Sequence, residues 1–142
     1  MRTHTTEIRV RYAETDRMGV AHHSSYLLWF ELGRTGLMRE GGRSYRAMEE
    51  SGLLLPVVEC QVKFFAGAEY DDLVRVETGV AELRSRVVIF AYRVTRDSTL
   101  LASGWTKHAC VDPDHRVLRI PADVTHAIAP FRIPEGAAFL PR

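Results

Sequence analysis

One carboxylate near the N-terminus, that of Asp16, stands where it could carry out acyl chemistry. It lies in an acidic turn that passes through a glycine and two adjacent histidines, after which a very apolar helix begins. The first N–H groups of a helix have no intrahelical acceptor, and the helix dipole favours negative charge there. A carboxylate facing such donors could hydrolyse an activated acyl group, because it supplies the base or nucleophile while the donors stabilise the oxyanion. The whole stretch, Tyr12 to Glu31, reads YAETDRMGVAHHSSYLLWFE.

Asp16 and the two histidines also have plainer interpretations. An aspartate in a turn commonly accepts a hydrogen bond from the backbone two residues on, and spacing alone favours that role for Asp16. His22 and His23 could be ordinary loop histidines, and adjacent side chains cannot point the same way on a regular helix. The six histidines form no HxH or HxxxH pair, so the sequence predicts no metal site.

The composition narrows the class of protein. With 142 residues the chain is long enough for a sizeable core, and we expect a single domain over residues 1–142. The net charge of +1, without a Lys/Arg cluster, argues against a nucleic-acid partner. The polar N-terminus lacks an apolar signal core, and no apolar run is long enough to cross a membrane. These features predict a cytoplasmic protein without a membrane partner.

The two cysteines, Cys60 and Cys110, show no CxxC spacing. Both fall in segments with an apolar pattern. We therefore expect two buried free thiols in a reducing compartment rather than a disulfide.

Hydrophobic periodicity outlines the elements that must position Asp16. Alternation over Glu7–Tyr12 predicts a strand, and an irregular loop follows it. Ser24 or Ser25 is a suitable cap for the start of the helix. The helix is expected to be about 24 Å long and to end at Gly41-Gly42.

The rest of the chain is rich in strands. The predicted order is strand, long helix and then four strands in a meander. That order fits an α+β fold in which five antiparallel strands surround one apolar helix. The core is expected to span about residues 7–121, and an irregular tail with Pro130, Pro134 and Pro141 ends the chain. The later strands are predicted at Val58–Phe64, Leu73–Leu83, Val87–Arg96 and Leu100–Val111, and short helices at Ser44–Ser51 and Ala122–Ile128.

The Tyr12–Glu31 stretch resembles a motif of the hotdog-fold acyl-CoA thioesterases. More narrowly, it is similar to the 4-hydroxybenzoyl-CoA thioesterase superfamily and its branch of small bacterial acyl-CoA thioesterases. A second, shorter similarity is the AEYDDL segment that ends at Leu73. The resemblance covers about residues 7–121 and implies a hotdog fold, in which an antiparallel sheet wraps around one long central helix. The first motif is matched by Tyr12, Glu14, Thr15, Asp16, Gly19, Val20, His23, Tyr26, Leu27, Trp29, Phe30 and Glu31.

Two positions depart from the family pattern. Ser25 stands where the family often has Asn, and a serine can still cap a helix. Gly67 stands where the second motif has Pro, which is expected to loosen that turn. Neither change touches Asp16.

The resemblance also implies roles for individual residues. Asp16 would act as the nucleophile or as the general base for water. The main-chain N–H of His23 would polarise the thioester carbonyl. The candidate substrate-binding residues are Gly19, Val20, His22 and Tyr26.

By the same resemblance, the protein is expected to hydrolyse an acyl-CoA thioester to a free acid and coenzyme A. No cofactor is implied beyond the coenzyme A of the substrate. A homo-oligomer is expected, at least a dimer, with a homotetramer favoured. The acyl group, the choice between coenzyme A and an acyl-carrier protein, and the role of Asp16 as nucleophile or base stay open.

Two other functions compete with thioester hydrolysis. One is a non-catalytic acyl-CoA-binding module, which the intact Asp16 argues against. The other is a hotdog hydratase, whose catalytic pattern is not seen here. Glu31 is a secondary candidate for the site, although it could instead pair with Arg34. Three strand residues could also face the pocket: Glu59, Lys63 and His108. The candidates for binding coenzyme A phosphates are Arg84, Arg86 and Lys107.

Overall fold

The computed structural model describes residues 2–135, which form one five-stranded antiparallel sheet with a long helix on its inner face. The lateral order of the strands is β1-β3-β4-β5-β2, and every neighbouring pair is antiparallel. The predicted α+β class and the five-stranded hotdog sheet are thereby confirmed. The strands are β1 His4–Arg9, β2 Val57–Phe64, β3 Leu73–Leu83, β4 Val87–Arg96 and β5 Thr99–Ala109.

The long helix, α1, spans His23–Glu40 and packs on β1, β3 and β4. Its 18 residues make it about 27 Å long. Trp29 and Phe30 are fully buried, and the Phe30 ring stacks on Tyr92 of β4 with centroids 4.1 Å apart. A Cβ added at Gly33 would overlap the side chain of Thr78, so this glycine lets the helix approach β3. Two short helices, α2 Tyr45–Glu50 and α3 Ala122–Ile128, complete the described helices.

The prediction that the first strand continues to Tyr12 is wrong. β1 ends at Arg9, and Tyr12–Glu14 forms a 3-10 turn in which Tyr12 is exposed. Val10 still continues the register of β1 and β3, donating to the Asp72 carbonyl at 2.8 Å, and the chain turns away only after it. Apolar alternation does not report where the chain turns away from the sheet.

The predicted helix cap is also wrong by a few residues. α1 begins at His23, and His22 is its N-cap. Ser25 does not cap, because its hydroxyl donates instead to the carbonyl of Glu14 at 3.0 Å.

The predicted four-strand meander holds only for β3, β4 and β5. β2 pairs with β5 at the far edge of the sheet, so its other edge and most of its side chains are exposed. Cys60 in β2 is therefore exposed, which corrects the expectation that both thiols are buried. Cys110 is buried as expected, and both cysteines are free.

The remaining elements lie close to their predicted bounds. β3, β4 and α3 have the predicted limits, whereas β5 starts one residue and ends two residues earlier than expected. Part of the tail is more regular than predicted, since Ala129–Phe131 forms a 3-10 turn and Arg132 bridges Val80 of β3. Pro141 lies outside the described residues. Between residues 2 and 135, none of the helices is both long and apolar enough to cross a membrane.

Candidate active site

The buried carboxylate of Glu14 holds the loop between β1 and α1 against the helix. Its Oε1 accepts from the Arg11 N–H at 2.7 Å, and its Oε2 accepts from Nε1 of the Trp29 indole at 2.8 Å. Its main-chain carbonyl accepts from the N–H of His22 at 2.8 Å and from the Ser25 hydroxyl at 3.0 Å. Burial acts to raise the pKa of Glu14, but the hydrogen bonds from Arg11 and Trp29, with the Arg11 charge, outweigh it and lower the pKa. Glu14 is therefore an ionised buried group that joins the loop to the helix at three points.

Asp16 closes the loop through its own turn. Its Oδ1 accepts from the N–H of Met18 at 2.8 Å, the turn bond that spacing alone favours. Its N–H donates to the Val20 carbonyl at 2.9 Å, and Gly19 adopts a φ of 84°, in the left-handed region that favours glycine. Within residues 2–135, Oδ2 of this half-buried carboxylate accepts no hydrogen bond. The turn therefore occupies one carboxylate oxygen and leaves the other available.

The start of α1 supplies one free donor. The His22 side chain caps the helix, with Nδ1 accepting from the N–H of Ser24 at 3.2 Å. The N–H of Ser25 donates to the carbonyl of His22 at 2.9 Å. For the N–H of His23, the described part of the chain provides no acceptor, as expected for the first residue of a helix.

Asp16 and His23 line the same surface cavity, which has a volume of about 350 Å³. Val20 and Tyr26 line it too, so the structure brings four of the six predicted site residues together. Gly19 and His22 do not line it: the first shapes the turn and the second caps the helix. In such a cavity a carboxylate oxygen can attack a carbonyl carbon or activate water to do so, and an unpaired N–H can stabilise the oxyanion that forms. The other lining residues are Met18, Ala21, Phe64, Phe65, Ala66 and Gly67.

The aromatic wall of this cavity was missed by sequence reasoning. Phe64 at the end of β2 and Phe65 after it are 51% and 58% exposed. Tyr26 meets Phe64 edge to face, with ring centroids 5.1 Å apart. Burial raises the pKa of Tyr26, against a smaller lowering effect of its hydrogen bond to the main chain of Ala68. The available signal was the adjacent Phe pair, because neighbouring strand residues point to opposite faces and cannot both enter one core.

The second motif lies at the side of the cavity, where Gly67 approaches the loop. A Cβ at Gly67 would lie 2.7 Å from Cγ1 of Val20, so a larger residue would force a shift. The turn that this glycine was expected to loosen is tied by Arg96, which donates to the Gly67 carbonyl at 3.0 Å and to Oδ2 of Asp72 at 2.8 Å. Hydrogen bonds from the Glu69 N–H and from Arg96 lower the pKa of Asp72.

Three secondary candidates lie away from this cavity. Glu31 faces Arg34 along α1, with Oε1 3.9 Å from the guanidinium, as the spacing predicted. His108 is fully buried in β5, where Nε2 lies 2.8 Å from Oγ1 of Thr106 and Nδ1 lies 2.9 Å from the Leu55 carbonyl. Arg84 pairs with Glu82 at the surface.

A larger cavity, of about 640 Å³, lies on the outer face of the sheet. Glu59 and Lys107 line it together with Trp105, and none of the six predicted site residues does. We place the candidate active site at the smaller cavity because Asp16 and His23 both line it. No group of three His, Cys, Asp or Glu residues that could hold a metal occurs between residues 2 and 135.

Comparisons with known proteins agree with this assignment of fold and motif. The sequence model of the Thioesterase-like superfamily matches residues 10–128. The chain belongs to this superfamily, and it is an enzyme of the thioester-hydrolase class.

Three relatives illustrate the similarity. The chain is 35% identical to acyl-CoA thioesterase YbgC of Haemophilus influenzae, over 74% of this chain and 78% of the relative. It is 31% identical to acyl-CoA thioester hydrolase YbgC of Escherichia coli O157:H7, over 75% of this chain and 80% of the relative. A crystal structure of hypothetical protein TT1821 from Thermus thermophilus is 43% identical and superposes with a TM-score of 0.87, covering 91% of this chain and 99% of that one.

Proposed function

We propose that this protein hydrolyses acyl-CoA thioesters to a free carboxylic acid and coenzyme A. The names of the Haemophilus and Escherichia relatives support that substrate class. The observation that carries the proposal is that Asp16, with one available carboxylate oxygen, and His23, with an unpaired N–H, line the same cavity.

The chemistry assigns one step to each group. As a general base, Asp16 removes a proton from water while the water oxygen forms a bond to the thioester carbonyl carbon. The His23 N–H, at the positive end of the helix dipole, donates to the resulting oxyanion. The carbon–sulfur bond then breaks, and the leaving thiolate takes a proton from Asp16.

The alternative role of Asp16 is that of the nucleophile. Its oxygen would then form an acyl anhydride with release of the coenzyme A thiolate, and water would hydrolyse the anhydride in a second step. Rapid quenching followed by mass spectrometry separates the two routes, because only the nucleophilic route adds the mass of the acyl group to the chain.

We also propose that the protein forms a homo-oligomer. β2 is an edge strand whose open side presents apolar residues next to the cavity, and such an edge readily pairs with another strand. We propose a homodimer through this edge, with a tetramer as the larger alternative. Sedimentation of Val58→Lys, a change at a residue 56% exposed on β2, tests it: a monomer supports the β2 interface, and an unchanged oligomer contradicts it. The exposed apolar residues of this region are Val57, Val58, Phe64 and Phe65.

The remaining expectations belong to the same proposal. The chemistry above needs a base and a hydrogen-bond donor, so we propose that no cofactor takes part beyond the coenzyme A of the substrate. We also propose a cytoplasmic location, which the two free cysteines support.

Release of free thiol from a panel of acyl-CoAs tests the proposed function. Wild-type protein is compared with Asp16→Asn, which removes the ionisable group and keeps the side-chain shape. Turnover by the wild type that is lost in a folded Asp16→Asn variant supports thioester hydrolysis by Asp16. Acyl-CoA binding without turnover favours a binding module, and hydration of an enoyl-CoA favours a hydratase.

A further inference from the structure

The contacts of Glu14 extend into the second turn of the helix that carries the proposed oxyanion donor. We infer that the Glu14 carboxylate, through its bond to Trp29, is a positioning residue that sets where the His23 N–H lies relative to Asp16. This inference rests on the proposed function, because it concerns the geometry of that reaction. Glu14 does not line the cavity, and so it acts through Asp16 and His23, which do.

The two proposed reacting groups lie on different elements. Asp16 belongs to the loop and His23 belongs to the helix, so their separation depends on how the loop is fixed to α1. Glu14 is two residues from Asp16, and its carbonyl accepts the N–H of His22, the residue before His23. Its carboxylate reaches past the first turn to the Trp29 indole at 2.8 Å. A shift of this contact would therefore move the loop along the helix.

Both ends of the carboxylate are constrained. One oxygen accepts from the main-chain N–H of Arg11, whose position is fixed by the 3-10 turn. The other accepts from Trp29, which is fully buried and 4.7 Å from the ring of Tyr26, a cavity residue. Since the indole cannot turn to another acceptor without leaving the core, the bond fixes the relative position of loop and helix.

The two partners of the Glu14 carboxylate require that each of its oxygens accept a hydrogen bond. Both partners of Glu14 are N–H donors, and a carboxylate accepts at either oxygen. Glu14→Gln keeps the shape but turns an amide NH₂ group toward one donor. Trp29→Phe removes the indole donor and keeps an aromatic ring. Glu14→Gln thus leaves one oxygen for the Arg11 and Trp29 donors, and Trp29→Phe removes one of those donors, so the two substitutions affect the same pair of contacts.

Steady-state kinetics on the preferred thioester tests this coupling. We expect each single variant to lower kcat about 10- to 100-fold, because small misplacements of reacting groups are costly, with KM changed less than about threefold. The double variant should be no slower than Glu14→Gln alone, because without the indole N–H the remaining amide oxygen is free to accept from Arg11. Activity is measured per folded protein, well below each variant's unfolding temperature.

The second tryptophan provides a matched control. Nε1 of Trp105 also donates to a side chain, Oε1 of Gln61 at 2.8 Å, but it lies on the outer face of the sheet. Trp105→Phe should leave kcat unchanged. It also leaves Trp29 as the single tryptophan of the chain, so fluorescence in this background reports the Glu14 contact directly.

The outcomes separate the inference from the proposed function. A lowered kcat in both single variants, without an additive loss in the double variant, supports the positioning role. If Glu14→Gln shifts the Trp29 emission and lowers the unfolding temperature while kcat per folded protein stays at the wild-type value, Glu14 is only structural and the inference is overturned. Wild-type protein without thioester turnover would overturn the proposed function and this inference together.

Discussion

The N–H of His22 donates to the carbonyl of Glu14 at 2.8 Å, and this bond decides which donor of α1 is left free. The next N–H along the chain, that of His23, has no acceptor in the described residues, and His23 lines the cavity that Asp16 also lines. The available donor is thus a main-chain group, which side-chain substitutions leave in place. Proline is the exception, because it has no N–H.

His23→Pro should lower kcat by about 10² to 10³, the usual effect of losing one oxyanion donor. His23 is the first residue of α1, a position where proline is well accommodated, so the helix should persist. The preceding residue has φ −61° and ψ 143°, which is compatible with a following proline. Thiol-release kinetics on the preferred acyl-CoA measures the change.

His23→Ala is the control for that experiment, since it removes the imidazole and keeps the N–H. We expect it to retain most of the wild-type kcat. A large loss in His23→Ala with little further loss in His23→Pro would mean that the imidazole, rather than the main chain, contributes to catalysis.

Replacing the helix cap should change stability. His22→Ala removes the acceptor for the Ser24 N–H, and loss of a cap typically costs about 0.5–2 kcal/mol. His22→Asp supplies a carboxylate at a position that favours negative charge and should keep or increase the stability. Urea unfolding measures both, and equal stability of the Ala and Asp variants would contradict a capping role for His22.

Gly67→Ala should slow the enzyme, by about tenfold, because the new Cβ would lie 2.7 Å from Cγ1 of Val20 in the cavity wall. Val20→Ala removes that methyl group. The double variant should therefore recover activity relative to Gly67→Ala, as measured by kcat/KM. Strictly additive losses would show that the two residues do not interact through this contact.

Stability should depend on pH through His108. Burial, with a smaller contribution from the Arg34 charge, lowers its pKa to about 4 from 6.5, and a hydrogen bond to Leu55 only partly opposes this. The unfolded chain therefore binds a proton at higher pH than the folded protein does. The contribution of His108 to the free energy of unfolding is therefore fully present above about pH 6.5. It falls by about 3 kcal/mol as the pH drops toward 4.

Urea unfolding between pH 5 and 6.5 isolates this effect, because the lowered pKa values of Glu14 and Asp72 place their own contributions at lower pH. His108→Gln should show a flatter dependence over that range than the wild type. An unchanged slope in the variant would assign the pH dependence to another group.

Much of the fold could be predicted because local pattern and burial coincide. The alternation over Leu73–Leu83 and Val87–Arg96 gave the strand bounds that the structure has, since both strands lie inside the sheet with one face on the core. β2 alternates equally well, yet it is mostly exposed. Alternation identifies a strand but not its neighbour, so the position of β2 at the edge and the exposure of Cys60 could not be read from it.

Some features of the candidate site could likewise be predicted from the sequence, and others could not. Asp16 and the helix start near His23 followed from residue type and spacing, because turn and helix-start chemistry is local. The Phe64–Phe65 wall and the tie from Arg96 to Gly67 come from segments far along the chain. Only the closure of the sheet around the helix brings them to the loop.

The sequence by itself determined the class of protein, the long helix and the turn that holds Asp16, because these depend on neighbours in the chain. Tertiary structure decided which donor is free and what surrounds it. The Glu14 carboxylate, unremarkable in the motif, accepts from Trp29 fifteen residues away, and its carbonyl takes the N–H of His22. Long-range hydrogen bonds form only where packing brings donor and acceptor within about 3 Å, and no local pattern encodes that distance.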